Sequence, residues 1–230
     1  MKLVITYPES WKEIKYTQYM KYFNAVKPYE GTDDFSRISL EAAALHFCKV
    51  PAEYLYALPQ EVFERINSTI IRLFEEVKNH PLVNQFELYG VKYGFIPNLD
   101  EISYGEYLDL VSYTNKDLWK NVPIVMSILY RPIKYELGKS YTIEPYKGTK
   151  DEKIEMFTES LSMDTVFGAT SFFLTLYQDL MIGILHYSKQ ILEERGDMKT
   201  LKLLQDLEKN GLDITQLPSL LTTTSLNLTK

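Results

Sequence analysis

Hydrophobic and polar residues alternate on both sides of Tyr89-Gly90, near the middle of the chain. This two-residue period is typical of β-strands, and the Tyr-Gly pair marks a tight turn between them. The pattern predicts a hairpin over Phe86–Ile96. The same reasoning predicts short strands at Lys2–Tyr7 and Tyr141–Glu144, so we expect a small antiparallel sheet.

Much of the remaining chain has apolar residues at the 3.6-residue spacing of amphipathic helices. The clearest case runs from Pro59 to about Lys78. Further helices are predicted at Thr17–Val26, Ile38–Phe47, Asp151 to about Leu161, and Asp164 to about Glu194. Ser103 and Glu106 have the Ser-x-x-Glu spacing of a capping box, which predicts a helix start. The expected class is α+β, mostly helical, with a small antiparallel sheet and a long C-terminal helix.

Composition changes twice along the chain and predicts three parts. A polar stretch around Gly148–Glu152 separates an α+β domain, residues 1–148, from a helical region, residues 149–211, packed on it. Residues 212–230 are rich in Thr, Ser and Leu without a helical face, so we expect an extended C-terminal arm. Such an arm is either a frayed terminus or a strand that adds to the sheet edge of a neighbour.

Charge and composition exclude several classes of function. The 230 residues carry a net charge of -6, which argues against a broad nucleic-acid surface, and we expect no sequence-specific nucleic acid as partner. Asp179 interrupts the most apolar stretch, so we expect no membrane partner. Cys48 is the only cysteine, which excludes an internal disulfide and a multi-cysteine zinc site.

No catalytic motif occurs in the sequence, neither a P-loop nor a G-x-S-x-G nucleophile turn. The histidines lie on three separate predicted elements: His46, His80 and His186. Glu101, Glu106 and Asp109 cluster after the hairpin, and paired carboxylates can bind a divalent cation or transfer protons. Its predicted role as the capping partner of Ser103 is sufficient to account for Glu106. We therefore expect no enzyme, no catalytic residue, no cofactor and no metal; the alternative is a metal-dependent hydrolase.

Aromatic residues are unusually frequent, with 18 Tyr and 11 Phe. Tyrosine combines a large apolar ring with a hydroxyl, which suits half-wet protein interfaces as well as cores. Tyr89 and Tyr93 are therefore predicted as exposed contact residues of the hairpin. In the predicted arm the candidate contacts are leucines: Leu217, Leu221, Leu226 and Leu228.

Arg131 stands alone between the apolar run Val122–Leu129 and Pro132. Two interpretations are open for this residue. It forms a structural ion pair with Glu136 or Glu144, or it contacts a partner protein.

Several short aromatic and glycine motifs resemble small virion-associated proteins of crAss-like tailed bacteriophages, over about residues 1–150. They are Pro8 with Trp11, Tyr93-Gly94-Phe95-Ile96-Pro97, Gly105-Glu106-Tyr107, Ile128-Leu129-Tyr130-Arg131-Pro132 and Ile143-Glu144-Pro145-Tyr146. The resemblance implies a non-enzymatic virion structural protein of the head-to-tail connector or tail, assembled in the bacterial cytoplasm. Its implied partners are portal, tail or ring components and further copies of itself. The alternatives are a tail assembly chaperone and an ejected cargo protein.

Overall fold

Helices and strands account for most of the chain in the computed structural model, which describes residues 4–77, 80–114, 117–138, 140–196 and 198–202. The side chains of residues 174–185 lie outside this description. The helices are α1 (Tyr16–Val26), α2 (Phe35–His46), α3 (Gln60–Glu76), α4 (Tyr104–Thr114), α5 (Leu118–Leu129), α6 (Asp151–Ser160) and α7 (Met163–Glu194). The strands are β1 (Gln85–Leu88), β2 (Val91–Phe95), β3 (Tyr130–Leu137) and β4 (Ser140–Ile143). Short 3₁₀ turns lie at Trp11–Glu13, Lys27–Tyr29, Ala52–Ala57 and Leu99–Glu101.

The predicted class is confirmed: the fold is α+β, mostly helical, with a small antiparallel sheet. The helical period located α1, α2, α3 and α6 to within a few residues of their ends. The long C-terminal helix itself stays a prediction.

The sheet has the order β1-β2-β3-β4, and each neighbouring pair is antiparallel. The hairpin prediction is confirmed, since Phe86 lies opposite Tyr93 across β1 and β2. The strand predicted at Lys2–Tyr7 is wrong for residues 4–7, which have no strand pairing and meet the rest of the chain through the Thr6 N–H and the Cys48 carbonyl. The first three residues lie outside the description.

Strand β3 was not predicted, although it joins the two hairpins of the sheet. Pro132 lies inside it, and a proline within an apolar run indicates a break rather than a central strand. Pro132 is tolerated because it sits opposite Tyr93, at the last position where β3 pairs with β2. Its carbonyl still accepts a hydrogen bond from the Glu144 N–H at 2.9 Å.

Two glycines shape the sheet. Gly90 follows Tyr89 in the β1–β2 turn, and both residues have positive φ, 76° and 51°, as a tight hairpin turn of type I′ requires. At Gly94, a Cβ atom would lie 2.4 Å from the Tyr141 ring. Glycine therefore lets Tyr141 cross β2 and donate its hydroxyl proton to the Phe95 carbonyl at 2.9 Å.

Aromatic rings form two parts of the core. Trp11 is fully buried, and its indole N–H donates to the Leu73 carbonyl at 2.6 Å. Four rings contact it edge-on: Tyr19, Phe47, Phe74 and Phe167. The second cluster joins the sheet to α6 through Phe157, which packs against Phe86 and Tyr93.

The chain divides into two compact units, Met1–Phe172 and Phe173–Lys230. This division does not coincide with the boundary predicted at residue 148, since α6 belongs to the first unit and its Phe157 lies in the core beside the sheet. The second unit is described at residues 173–196 and 198–202. Within the described part of the chain, no helix combines the length and the apolar character that a membrane crossing requires.

Candidate functional site

The predicted contact residues occupy very different environments. Tyr89 is 75% exposed at the hairpin turn, as predicted, and its hydroxyl lies 2.9 Å from Ser160 Oγ. Tyr93 is only 6% exposed, so its predicted exposure is wrong. Its face of β2 is covered by α6, whose Phe157 ring lies 5.2 Å away. The four arm leucines, Leu217, Leu221, Leu226 and Leu228, lie outside the described residues.

Arg131 forms the ion pair that the sequence suggested, but with another partner. Its Nη2 atom lies 2.7 Å from Glu106 Oε1, and both residues are buried, with 9% and 4% exposure. The predicted partners Glu136 and Glu144 are therefore wrong. Glu136 lies in the exposed half of β3 and pairs with Lys92 at 3.0 Å. The Arg131–Glu106 pair ties the buried start of β3 to the first turn of α4.

Glu106 has a second role, which the sequence predicted. The Ser103 N–H donates to Glu106 Oε2 at 2.8 Å, and the Glu106 N–H donates to Ser103 Oγ at 3.3 Å. The capping box is therefore confirmed. One carboxylate oxygen caps the helix and the other faces Arg131.

The carboxylates considered as a metal site do not come together. Glu101 accepts a hydrogen bond from the Asn98 amide at 2.9 Å, while Asp109 accepts one from the Tyr146 hydroxyl. In the described parts of the chain, no group of three or more His, Cys, Asp or Glu residues could hold a metal ion. The three carboxylates therefore form no joint metal site in the described residues, and the hydrolase alternative itself stays a prediction.

The histidine and cysteine side chains do not form a nucleophilic pair. His80 Nε2 lies 2.6 Å from Asp164 Oδ1, which joins the residues before β1 to the first turn of α7. Cys48 is fully buried, and burial raises the pKa of its thiol to about 11. A thiol protonated at neutral pH is a poor nucleophile.

Lys153, in the first turn of α6, was not singled out from the sequence. Its ammonium group donates to the carbonyls of Ser127 and Tyr130 at 2.8 and 2.9 Å, at the C-terminal end of α5. A cation at a helix C-terminus satisfies carbonyls that have no partner within the helix. Burial, followed by the nearby charge of Arg131, lowers the pKa of Lys153 to about 8.

A cavity of about 290 Å³ lies beside Arg131 and Lys153. Its walls come from β2, β3, the C-terminal half of α5, the start of α6 and residues 144–150. Tyr146 forms part of one wall, with its ring centre 5.9 Å from the Arg131 guanidinium. Burial, and then the hydrogen bond to Asp109, raise the pKa of the Tyr146 hydroxyl, so this group stays neutral.

The outer face of α4 forms a separate surface, which we call the α4 stripe: Tyr104, Tyr107 and Leu108. All three are exposed, Tyr104 to 76%. Their i, i+3, i+4 spacing places them on one side of the helix. A sequence pattern could have located this surface. The capping box predicts the start of α4 and places Glu106 toward the protein, which leaves Tyr104, Tyr107 and Leu108 on the other side of the helix. Further exposed apolar residues lie at the end of β3, Tyr135 and Leu137.

Comparison with known proteins finds no matching family model, and no curated protein or solved structure is significantly similar to the chain. A function is therefore proposed from the residues of the chain itself.

Proposed function

We propose that this protein is a non-enzymatic structural protein of a tailed-phage virion that acts through protein–protein interfaces in the head-to-tail or tail assembly. The observation that carries this proposal is the α4 stripe. Three large apolar side chains in line on one exposed helix face are the arrangement by which helices dock into grooves of partner proteins. The choice of a phage particle as the assembly rests on the resemblance of the motifs in residues 1–150 to virion-associated proteins.

The α4 stripe is large enough to contribute substantially to binding. Burying an exposed side chain of this size contributes roughly 1.5–3 kcal/mol. Because Tyr104, Tyr107 and Leu108 are only partly exposed, their burial would contribute about 3–5 kcal/mol together. Tyrosine is also enriched among the residues that dominate binding energy.

Tyr89 supports the same proposal. A non-glycine residue with positive φ is strained, and Gly, Asn or Asp usually occupies this position of a hairpin turn. Retaining an exposed tyrosine there is consistent with a contact role, since strained residues concentrate at functional sites. We expect Tyr89→Asn to fold at least as stably as the wild type while its assembly weakens. Thermal unfolding and sedimentation velocity on the same samples would measure both effects.

The proposed partners are portal, tail or ring components of the particle and further copies of this chain. The protein would assemble in the bacterial cytoplasm and reside in the virion. Mass spectrometry of purified particles, with copy number measured against a capsid standard, tests this directly. A defined stoichiometric copy number supports the proposal. If the protein is absent from particles but binds a virion protein in lysate, an assembly chaperone replaces the proposed structural role. If its copy number varies between particles, an ejected cargo protein replaces that role.

The contribution of the α4 stripe can be tested with a matched control. Tyr104→Ser and Tyr56→Ser each remove a highly exposed tyrosine, 76% and 81% exposed, but only Tyr104 belongs to the stripe. We expect Tyr104→Ser to weaken assembly or partner binding about tenfold or more, and Tyr56→Ser to leave it unchanged. Equal effects of the two substitutions would reject the stripe as the interface.

A further inference from the structure

We propose that the cavity beside Arg131 and Lys153 binds a small oxyanion, either a carboxylate or a tetrahedral anion of the sulfate and phosphate class. This site is independent of the α4 stripe. The oxyanion would accept hydrogen bonds from the guanidinium of Arg131 and the ammonium of Lys153.

The charge of the cavity is opposite to that of the chain. The protein as a whole carries a net charge of -6. The cavity is lined by four cations against two carboxylates: Arg131, Lys147, Lys150 and Lys153 against Glu144 and Glu152. A concave site with an excess of one sign concentrates ions of the opposite sign.

Arg131 has donor capacity left inside the protein. Arg131 is 9% exposed, and its Nε–H has no hydrogen-bond partner among the residues that the structure describes. Glu106 Oε1, although only 2.7 Å from Nη2, has no hydrogen-bond partner among them either, so the ion pair leaves the Nε–H unused. A buried donor without a partner costs about 1–3 kcal/mol. An oxyanion in the adjoining cavity would remove this cost, and guanidinium donors match carboxylate and phosphate oxygens in geometry.

Lys153 supplies the second cation. Two of its three ammonium protons are used on the carbonyls of Ser127 and Tyr130. Glu106 is the only buried acidic residue in the described part of the chain, while Arg131 and Lys153 are both largely withdrawn from water. The two carboxylates that line the cavity, Glu144 and Glu152, are exposed to water. A bound anion would therefore balance the second cation.

The charges around Lys153 define a readout that a purely structural lysine would not show. Arg131 and Lys150 lower its pKa, Glu144 raises it, and burial lowers it most, to about 8. The aromatic rings of Tyr93 and Phe157 border the ammonium at 5.7 and 5.3 Å. An anion binds the protonated form better, so binding at pH 8 would be accompanied by uptake of about half a proton.

Sulfate is the appropriate probe, because it stays doubly charged between pH 6 and 9. The full chain is titrated with sodium sulfate by calorimetry at pH 8, in two buffers of different ionisation enthalpy and at constant ionic strength. We expect saturable binding to one site per chain, with an enthalpy that depends on the buffer. The dependence should vanish at pH 6, where Lys153 is fully protonated. Sodium acetate, titrated in the same way, separates a carboxylate site from a tetrahedral one.

Three variants locate the site. Lys153→Met removes a charged donor and is expected to weaken binding about tenfold or more. Lys150→Gln, an exposed rim residue whose loss leaves the core untouched, is expected to weaken it about threefold. Glu144→Gln removes a competing carboxylate and should tighten binding. Lys134→Gln, an exposed lysine of β3 outside the cavity, is the control and should have no effect.

Binding of sulfate, acetate or both, with these variant effects and with proton uptake at pH 8, supports the proposal and identifies the preferred anion. The proposal is overturned if neither anion binds below about 10 mM. It is equally overturned if binding is independent of buffer at pH 8, or if Lys150→Gln and Lys134→Gln behave alike. These outcomes are separate from particle composition, so they do not test the virion role.

Discussion

Glu106→Gln removes one charge of the buried pair with Arg131 while leaving the cap of α4 in place. Glutamine occupies this capping-box position as well as glutamate, so the hydrogen bonds with Ser103 can persist. The variant therefore isolates the electrostatic contribution. It leaves the Arg131 guanidinium, 9% exposed, without its neighbouring carboxylate.

The expected loss follows from the geometry. At the 2.7 Å separation of Arg131 Nη2 and Glu106 Oε1, the Coulomb attraction is about 6 kcal/mol at an effective dielectric constant of about 20. Desolvation of both groups offsets much of this attraction. Removing one partner of a buried pair nevertheless costs about 3–5 kcal/mol, because the other charge stays buried. We expect Glu106→Gln to lower the free energy of unfolding by about 3 kcal/mol.

Urea unfolding followed by circular dichroism measures this loss from the midpoint and slope. Glu101→Gln is the control, since Glu101 is exposed and bonded only to the Asn98 amide; its effect should stay below about 0.5 kcal/mol. The double variant Glu106→Gln with Arg131→Met should be more stable than Glu106→Gln alone, since no unpaired charge is left. The pair would not be coupled as described if Glu106→Gln lost no more stability than Glu101→Gln. The same conclusion would follow if the stability lost by the double variant equalled the sum of the losses of Glu106→Gln and Arg131→Met measured singly.

Three further predictions concern other parts of the chain. The pKa of Lys153 is lowered to about 8 in the folded state from the usual 10.5, so the unfolded chain binds more protons between these values and stability rises with pH. The free energy of unfolding of the wild type, relative to Lys153→Met, should increase by about 2 kcal/mol between pH 7 and 9.5 in urea melts; a flat difference would contradict this. Gly94→Ala should destabilise the fold by about 1–3 kcal/mol, because its Cβ would lie 2.4 Å from the Tyr141 ring. Gly105→Ala is the control and should leave stability unchanged, because open space surrounds that position. Equal melting temperatures of the two variants would contradict the predicted contact with Tyr141. Deletion of residues 217–230 should weaken assembly and leave the fold intact, and a loss of more than roughly 2 kcal/mol in a circular dichroism melt would show that these residues belong to the core.

The partner of Arg131 shows why sequence reasoning failed at the site. Proximity along the chain favours Glu136 and Glu144 as partners, but the carboxylate that reaches Arg131 is Glu106 on α4. The same applies to Lys153, whose hydrogen-bond partners lie at the end of α5. Nothing in the local pattern around either residue indicates a helix from elsewhere in the chain.

Tyr93 illustrates a related difficulty. Alternation correctly placed it on one face of β2, but it does not say which face is covered. That depends on α6, which packs Phe157 against the ring. Strand β3 was missed for a similar reason, because Pro132 is acceptable only where pairing with β2 ends.

Residue order alone specifies the features that depend on neighbours a few residues apart: the helical periods, the turn at Tyr89-Gly90 and the capping box of Ser103 and Glu106. Their hydrogen bonds and apolar faces are local, so the residue order specifies them. Three features depend instead on how the elements pack: Tyr93 is buried, Arg131 contacts Glu106, and Lys153 borders the same cavity as Arg131. These contacts join elements that are distant in the chain, and long-range packing alone determines which of them meet.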